Sequence, residues 1–112
     1  MILSKGLPME RFKVFLTEPA ENDLKDIALY ISVNLHEPSA ALNTINAIET
    51  KIENLEIMPL AYPLVRDDFL ASLGYRLMPV KNYHVFYIAY EKEKTVDIER
   101  ILYSRRNWKH II

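Results

Sequence analysis

The chain contains no cysteine. Disulfides and thiolate metal sites are therefore excluded, and the composition suits a reducing cytoplasm. No apolar run approaches the roughly 18 residues that a membrane-spanning helix needs, so no membrane role is expected. The opening stretch Met1–Pro8 is too short and too mixed for a secretory signal. Only three histidines occur, His36, His84 and His110, and they lack metal-ligand spacing, so neither a metal nor another cofactor is expected. Repeats, linkers and low-complexity segments are missing too.

What remains is an ordinary globular composition, 50% hydrophobic and 26% charged over 112 residues, enough for one core and one domain. Met9-Glu10-Arg11-Phe12 makes a cleaner start than Met1. Residues 1–9 are therefore expected to be a flexible leader or alternative start, and residues 10–112 a single domain. The net charge of −1 conceals an asymmetry. Residues 1–65 hold five Lys/Arg against nine Asp/Glu, whereas residues 66–112 hold nine against six. The C-terminal half is the side that faces anions, although it falls short of a strongly basic nucleic-acid domain.

Periodicity divides the chain into elements. Arg11–Thr17 alternates Phe12, Val14 and Leu16 with Lys13 and Phe15, as a strand does. Glu18-Pro19 then opens a helix, because proline fits the first turn, where its missing N–H has no partner to lose. Ala20, Leu24, Ile27, Ile31 and Leu35 form one apolar stripe through about residue 35. Ala41, Ile45, Ile48, Ile52 and Leu55 form a second after Glu37-Pro38-Ser39, closed at Met58-Pro59. Residues 59–72 read as a loop. Three β-rich runs follow, Tyr75–Val80, Tyr83–Glu91 and Thr95–Tyr103, joined by turns of hairpin length. The order β-α-α-β-β-β predicts an α+β domain, with a helix hairpin on one face of a small, mainly antiparallel sheet.

Chemistry concentrates where the last strand ends, at Tyr103-Ser104-Arg105-Arg106-Asn107-Trp108-Lys109-His110. Paired guanidiniums grip phosphates or carboxylates through fixed forks of donors, and an adjacent indole can stack on a base or fill a partner's pocket. The plain alternative is a solvated basic tail with Trp108 packed on the core. Arg76 and His84 are expected to stand together near this exit. Asp67-Asp68 and Glu91/Glu93 sit in turns and read as solvated, and most of the seven tyrosines read as sheet packing.

The triplet Gly74-Tyr75-Arg76-Leu77, Tyr83-His84-Val85-Phe86-Tyr87-Ile88 and Val96 to Trp108 resembles, in this order, the RelE/ParE superfamily of toxins from type II toxin–antitoxin modules, also called plasmid stabilisation proteins. The resemblance spans nearly all of residues 10–110. It implies a small cytoplasmic bacterial protein that arrests growth, works without cofactor, and is neutralised by a cognate antitoxin in a protein heteromer. RelE-like members cleave mRNA on the ribosome without a metal; ParE-like members poison DNA gyrase. A third alternative is an inactive antitoxin-binding domain of the same fold.

For the nuclease, the resemblance implies Arg76, His84, Arg106 and His110 as catalytic positions. Met78 stands where a second lysine is common, His84 replaces an arginine, and no tyrosine follows the last strand. His84 as base, Arg106 as phosphate clamp and His110 as acid would supply the proton transfers and charge neutralisation that cleavage requires. The paired-arginine turn closed by Asn-Trp looks more ParE-like. In that reading Arg76, Lys81, Arg105, Arg106, Trp108 and Lys109 bind the target, and nothing is catalysed.

Overall fold

Thr17 sets the boundary between the first strand and the first helix. Its extended backbone and hydroxyl form an N-cap that accepts from the Ala20 N–H at 3.2 Å, and the same hydroxyl donates to the Glu99 carbonyl at 3.0 Å. The structure, a computed structural model, describes residues 10–112; the expected leader 1–9 lies outside the described residues. Strand β1 is Lys13–Leu16 and helix α1 is Glu18–Leu29. The predicted helix to residue 35 is present but changes character, winding into a π-helical turn over Tyr30–Asn34. There the Tyr30 carbonyl accepts from Leu35 N–H at 3.1 Å, five residues on, and Ser32 Oγ donates to the Ala28 carbonyl at 2.7 Å. His36, with φ 54°, reverses the chain, and Pro38 opens helix α2, Pro38–Asn54.

The sequence 59–72 is less irregular than predicted. Asp67 caps a short helix, α3 (Asp68–Ser72), by accepting from Leu70 N–H at 2.9 Å. Asp67 is thus a capping residue, a role that its place in a turn already allowed. Upstream, Leu64 makes an isolated antiparallel bridge to Arg76. Gly74 leaves α3 at φ 94°, and a Cβ there would stand 3.3 Å from Ile88 Cγ2, so only glycine fits without strain.

Strands β2 (Tyr75–Val80), β3 (Tyr83–Tyr90) and β4 (Thr95–Tyr103) form an antiparallel meander. β1 joins it parallel to β4, giving the sheet order β1-β4-β3-β2. The helix hairpin covers one face. Ala20, Ile27, Ile48 and Ile52 pack there on Met78, Val85, Tyr87, Val96 and Ile98, all buried. A smaller cluster fills the other face, where Val65, Leu70, Phe86 and Leu102 meet Trp108 and Ile111.

β4 changes parity partway. Val96 and Ile98 face the helices, yet so does Ile101, while Leu102 faces the smaller cluster. A β-bulge accounts for it: Phe86 pairs with Arg100 but Tyr87 with Ile98, so Glu99 is extra. Simple alternation therefore assigns the faces of β4 only as far as Ile98.

Candidate binding groove at the sheet exit

The Lys81-Asn82 turn and the end of β4 are tied together, since the Ser104 N–H donates to the Asn82 carbonyl at 2.8 Å. Lys81 lies in the left-handed region, φ 52°, which tightens the turn. Between this end of the sheet and the hairpin tip opens a groove of about 650 Å³. Tyr30, Tyr83 and Tyr103 supply its rings, with Lys81, Arg106 and Asp26 at its polar margin. Tyr83 and Tyr103 meet edge to face, centroids 6.0 Å apart. Burial raises the Tyr83 hydroxyl pKa, with Tyr103 and Tyr30 adding, so this hydroxyl stays protonated at neutral pH. Lys81 and Arg106 have no salt-bridge partner among the described residues and face solvent.

The groove continues onto an apolar surface. Leu29, Tyr30, Val33, Leu35 and Leu42 crowd the hairpin tip with relative exposures between 50% and 62%. A contiguous apolar patch edged by basic groups is a protein-interaction surface more often than a chance exposure. The periodicity placed Leu35 on the buried stripe and gave no sign of this surface. Leu29 and Val33, four residues apart, lie off the stripe on the outer side of the helix, and Leu35 follows the π-helical turn, where the helix has ended.

The sequence-predicted residues do not converge. Arg76 shares the helix-side face with Met78 and Val80, and its Nη1 donates to the Tyr62 carbonyl at 2.6 Å. Nearby, the Tyr87 hydroxyl donates to the Pro59 carbonyl at 2.9 Å. Arg76 therefore pins the 59–65 segment. His84 points to the opposite face, edge-on to Phe86 with centroids 6.1 Å apart. Its Nδ1 is buried without a hydrogen-bond partner, and burial lowers its pKa below the usual 6.5. The expectation that Arg76 and His84 stand together is thus corrected: residue 76 shares the parity of Met78 and Val80 under the helices, whereas residue 84 shares that of Phe86 beyond them.

Trp108 packs on Phe86 at 4.9 Å between centroids, in a single 3₁₀ turn, Trp108–His110. Arg105, Lys109 and His110 are exposed around it. The structure therefore brings Lys81 and Arg106 together at the groove, His84 and Trp108 together beneath the sheet, and leaves Arg76 apart from both. Among the described residues no three His, Asp or Glu side chains converge as metal ligands. No helix among the described residues is long and apolar enough to cross a membrane.

A small mixed sheet carrying one helix hairpin is the architecture of the superfamily that the strand motifs resemble, and solved structures agree. The chromosomal ParDE toxin–antitoxin system from P. aeruginosa superposes with a TM-score of 0.66 at 19% identity, over 84% of this chain and 97% of that one. The RelBE2 toxin–antitoxin complex from Mycobacterium tuberculosis gives 0.60 at 21%, over 83% and 98%. A search of curated protein sequences finds no match. The family model of the ParE toxin of the type II toxin–antitoxin system parDE matches residues 14–108, and the chain belongs to that family.

Proposed function

We propose that this toxin arrests growth by binding DNA gyrase rather than by cleaving mRNA, and that an antitoxin silences it in a 1:1 heteromer, or a higher assembly of it, in the cytoplasm. One observation carries the choice of target. The residues a nuclease would need are divided between the two sheet faces, Arg76 under the helices and His84 beneath the opposite cluster. A phosphate held at the His84 base is then out of reach of the Arg76 guanidinium, so the four positions do not gather around one reacting group. The Nδ1 of His84 is moreover turned inward and buried, with the ring edge-on to Phe86, which suits packing better than proton transfer.

A binding inhibitor needs no such convergence. The exposed tip of the hairpin, the tyrosine-lined groove and the Lys81/Arg106 pair suit recognition of a protein or protein–DNA surface. An antitoxin segment with apolar residues and acidic ends would cover the same features.

The test is pulse-labelling after tightly controlled induction, comparing thymidine with methionine incorporation, followed by a supercoiling assay with purified gyrase. Early loss of thymidine uptake with filamentation, and inhibition of supercoiling, is the expected result. Immediate loss of methionine uptake with DNA synthesis continuing would transfer the assignment to a ribosome-dependent ribonuclease.

A further inference from the structure

A second surface, sharing no lining residue with the groove above, lies at the opposite edge of the sheet. Among the described residues β1 is an edge strand whose one sheet neighbour is β4. The Lys13 and Thr17 N–H groups donate to the Lys94 and Ile98 carbonyls at 2.9 and 3.1 Å. Odd-numbered residues of the strand therefore face β4, and Val14 and Leu16 direct their N–H and C=O groups outward. The preceding outward N–H, that of Phe12, is already taken by the Glu56 carbonyl at 2.8 Å. Among the described residues the row is thus closed at one end and open along Val14–Leu16. The other sheet edge differs: residues 63–65 cover β2, with the Val65 and Leu77 N–H groups donating to the Tyr75 and Pro63 carbonyls at 2.9 and 3.2 Å.

An open row of main-chain donors and acceptors is a template for another strand unless something blunts it. β1 has no proline and no bulge, and Lys13 is its single charge. Beside it runs a cleft of about 370 Å³ with Val14, Leu16 and Ile52 as its floor and Glu49, Glu53 and Glu56 as its wall. Glu49 and Glu53 have no basic partner among the described residues, and Glu56 has only an exposed pair with Arg11 at 3.3 Å. On the other side of the strand Phe15 is 52% exposed.

The charge pattern selects the occupant. A second copy pairing β1 with β1 across a two-fold axis would bring two glutamate rows together on the same side of the joined sheet, like charge against like. The geometry points instead to strand addition by a partner polypeptide: an extended segment with Lys or Arg at alternate positions, completing the sheet as a fifth strand at β1. Its main chain pairs with Val14 and Leu16, its basic heads reach Glu49 and Glu53 while their stems cover Ile52, and the intervening apolar residues lie against Phe15.

The experiment uses the full-length chain, isotopically labelled, and two capped peptides of alternating design, Lys-Val-Lys-Val-Lys-Val-Lys and Glu-Val-Glu-Val-Glu-Val-Glu, followed by amide hydrogen exchange. The basic peptide is expected to slow exchange at the Val14 and Leu16 amides at least tenfold, an effect the acidic peptide lacks. The double variant Glu49→Lys/Glu53→Lys, exposed on α2, should reverse that preference. Unchanged Val14 and Leu16 amides at peptide concentrations on the order of 1 mM, or a preference indifferent to the charge reversal, would overturn strand addition at this edge. Dimerisation of the unliganded chain through β1 would overturn it in favour of self-pairing. None of these readouts involves toxicity, so they stand or fall independently of the gyrase reading.

Discussion

Asp23 holds both the side chain and the main chain of one turn of β4. Its carboxylate accepts from Arg100 Nε and Nη2 at 2.8 and 2.9 Å and from the Ile101 N–H at 2.9 Å. The pair is largely shielded, with side-chain exposures of 11% for Asp23 and 22% for Arg100. The hydrogen bond to Asp23 raises the guanidinium pKa, against the opposing effect of burial. This interaction clamps α1 onto the bulge, 77 residues away in sequence.

Breaking the clamp from one side leaves a buried charge without its partner. Asp23→Asn is expected to cost about 3 kcal/mol, the size typical of a severed buried pair. Urea denaturation measures it, as a lowered midpoint with an unchanged slope. Arg100→Lys should recover little, because an ammonium cannot reproduce the two-pronged fork.

Arg76 is expected to serve stability and not catalysis. Arg76→Met and Tyr87→Phe each remove one hydrogen bond to the 59–62 segment, at about 1 kcal/mol apiece, rising towards about 2 kcal/mol for the charged donor. The double variant should depart from additivity, since both anchor the same segment. Growth arrest should survive Arg76→Met at a temperature where the variant stays folded; its abolition there would favour the nuclease.

Trp108 is the chain's single tryptophan and so reports its own environment by fluorescence. Trp108→Ala should cost about 2 kcal/mol, below the roughly 3–5 kcal/mol range for a fully buried aromatic because the indole is only partly covered. In the native chain, emission should shift to the red together with the loss of ellipticity on unfolding. An earlier shift would mean that the tail detaches first.

The pH dependence has a defined sign at His84. Burial lowers its folded pKa below 6.5, so the unfolded chain takes up the proton first as pH falls. Stability contributed by neutral His84 is complete above about pH 7 and diminishes as pH drops through the ordinary histidine value near ~6.5. Glu99 acts oppositely: burial, then Asp97, raises its pKa, so protonation of Glu99 favours the folded state at mildly acidic pH. Thermal melts of the native chain and of His84→Leu between roughly pH 5 and 8 separate the two. The variant should lose the decline and retain the Glu99 gain.

Arg106 and Lys81 carry the prediction for binding. Arg106→Glu and Lys81→Glu should leave the melting temperature within about 3 °C, as exposed substitutions do, yet weaken growth arrest and antitoxin binding. Antitoxin affinity measured against salt should fall only moderately, because apolar residues of the hairpin tip contribute much of the surface.

The architecture could be read from the chain because its elements obey simple periods. Val14 and Leu16, the stripe through Ile27 on α1, the stripe through Ile48 and Ile52 on α2 and the three β-rich runs each follow one spacing, and the structure buries or half-buries them accordingly. The site was less legible wherever the period breaks. Leu35, the last residue of the first expected stripe, lies beyond the π-helical turn and is half exposed, and along β4 the Glu99 bulge carries Ile101 to the face of Ile98. The Asp23–Arg100 clamp left no local mark, since neither residue's neighbours record a contact made across the whole domain. Arg76 and His84 were expected to meet because each is polar in an apolar strand. Their pairing register, Arg76 with Tyr87 and Pro79 with His84, separates them along the ladder as well as across it.

The one extra residue at Glu99 decides more than local twist. Were Glu99 to take an ordinary place in a strictly alternating strand, Ile101 would project beneath the sheet and Leu102 under the helices, and the chain beyond would leave with its inside and outside exchanged. Phe86 would lose the Leu102 contact, and the Arg105–Arg106 step would emerge with Arg105 in the place of Arg106. Flattening the bulge with Glu99 kept in the ladder would thus re-address the whole basic terminus, so the groove owes Arg106 to a counting irregularity seven positions upstream.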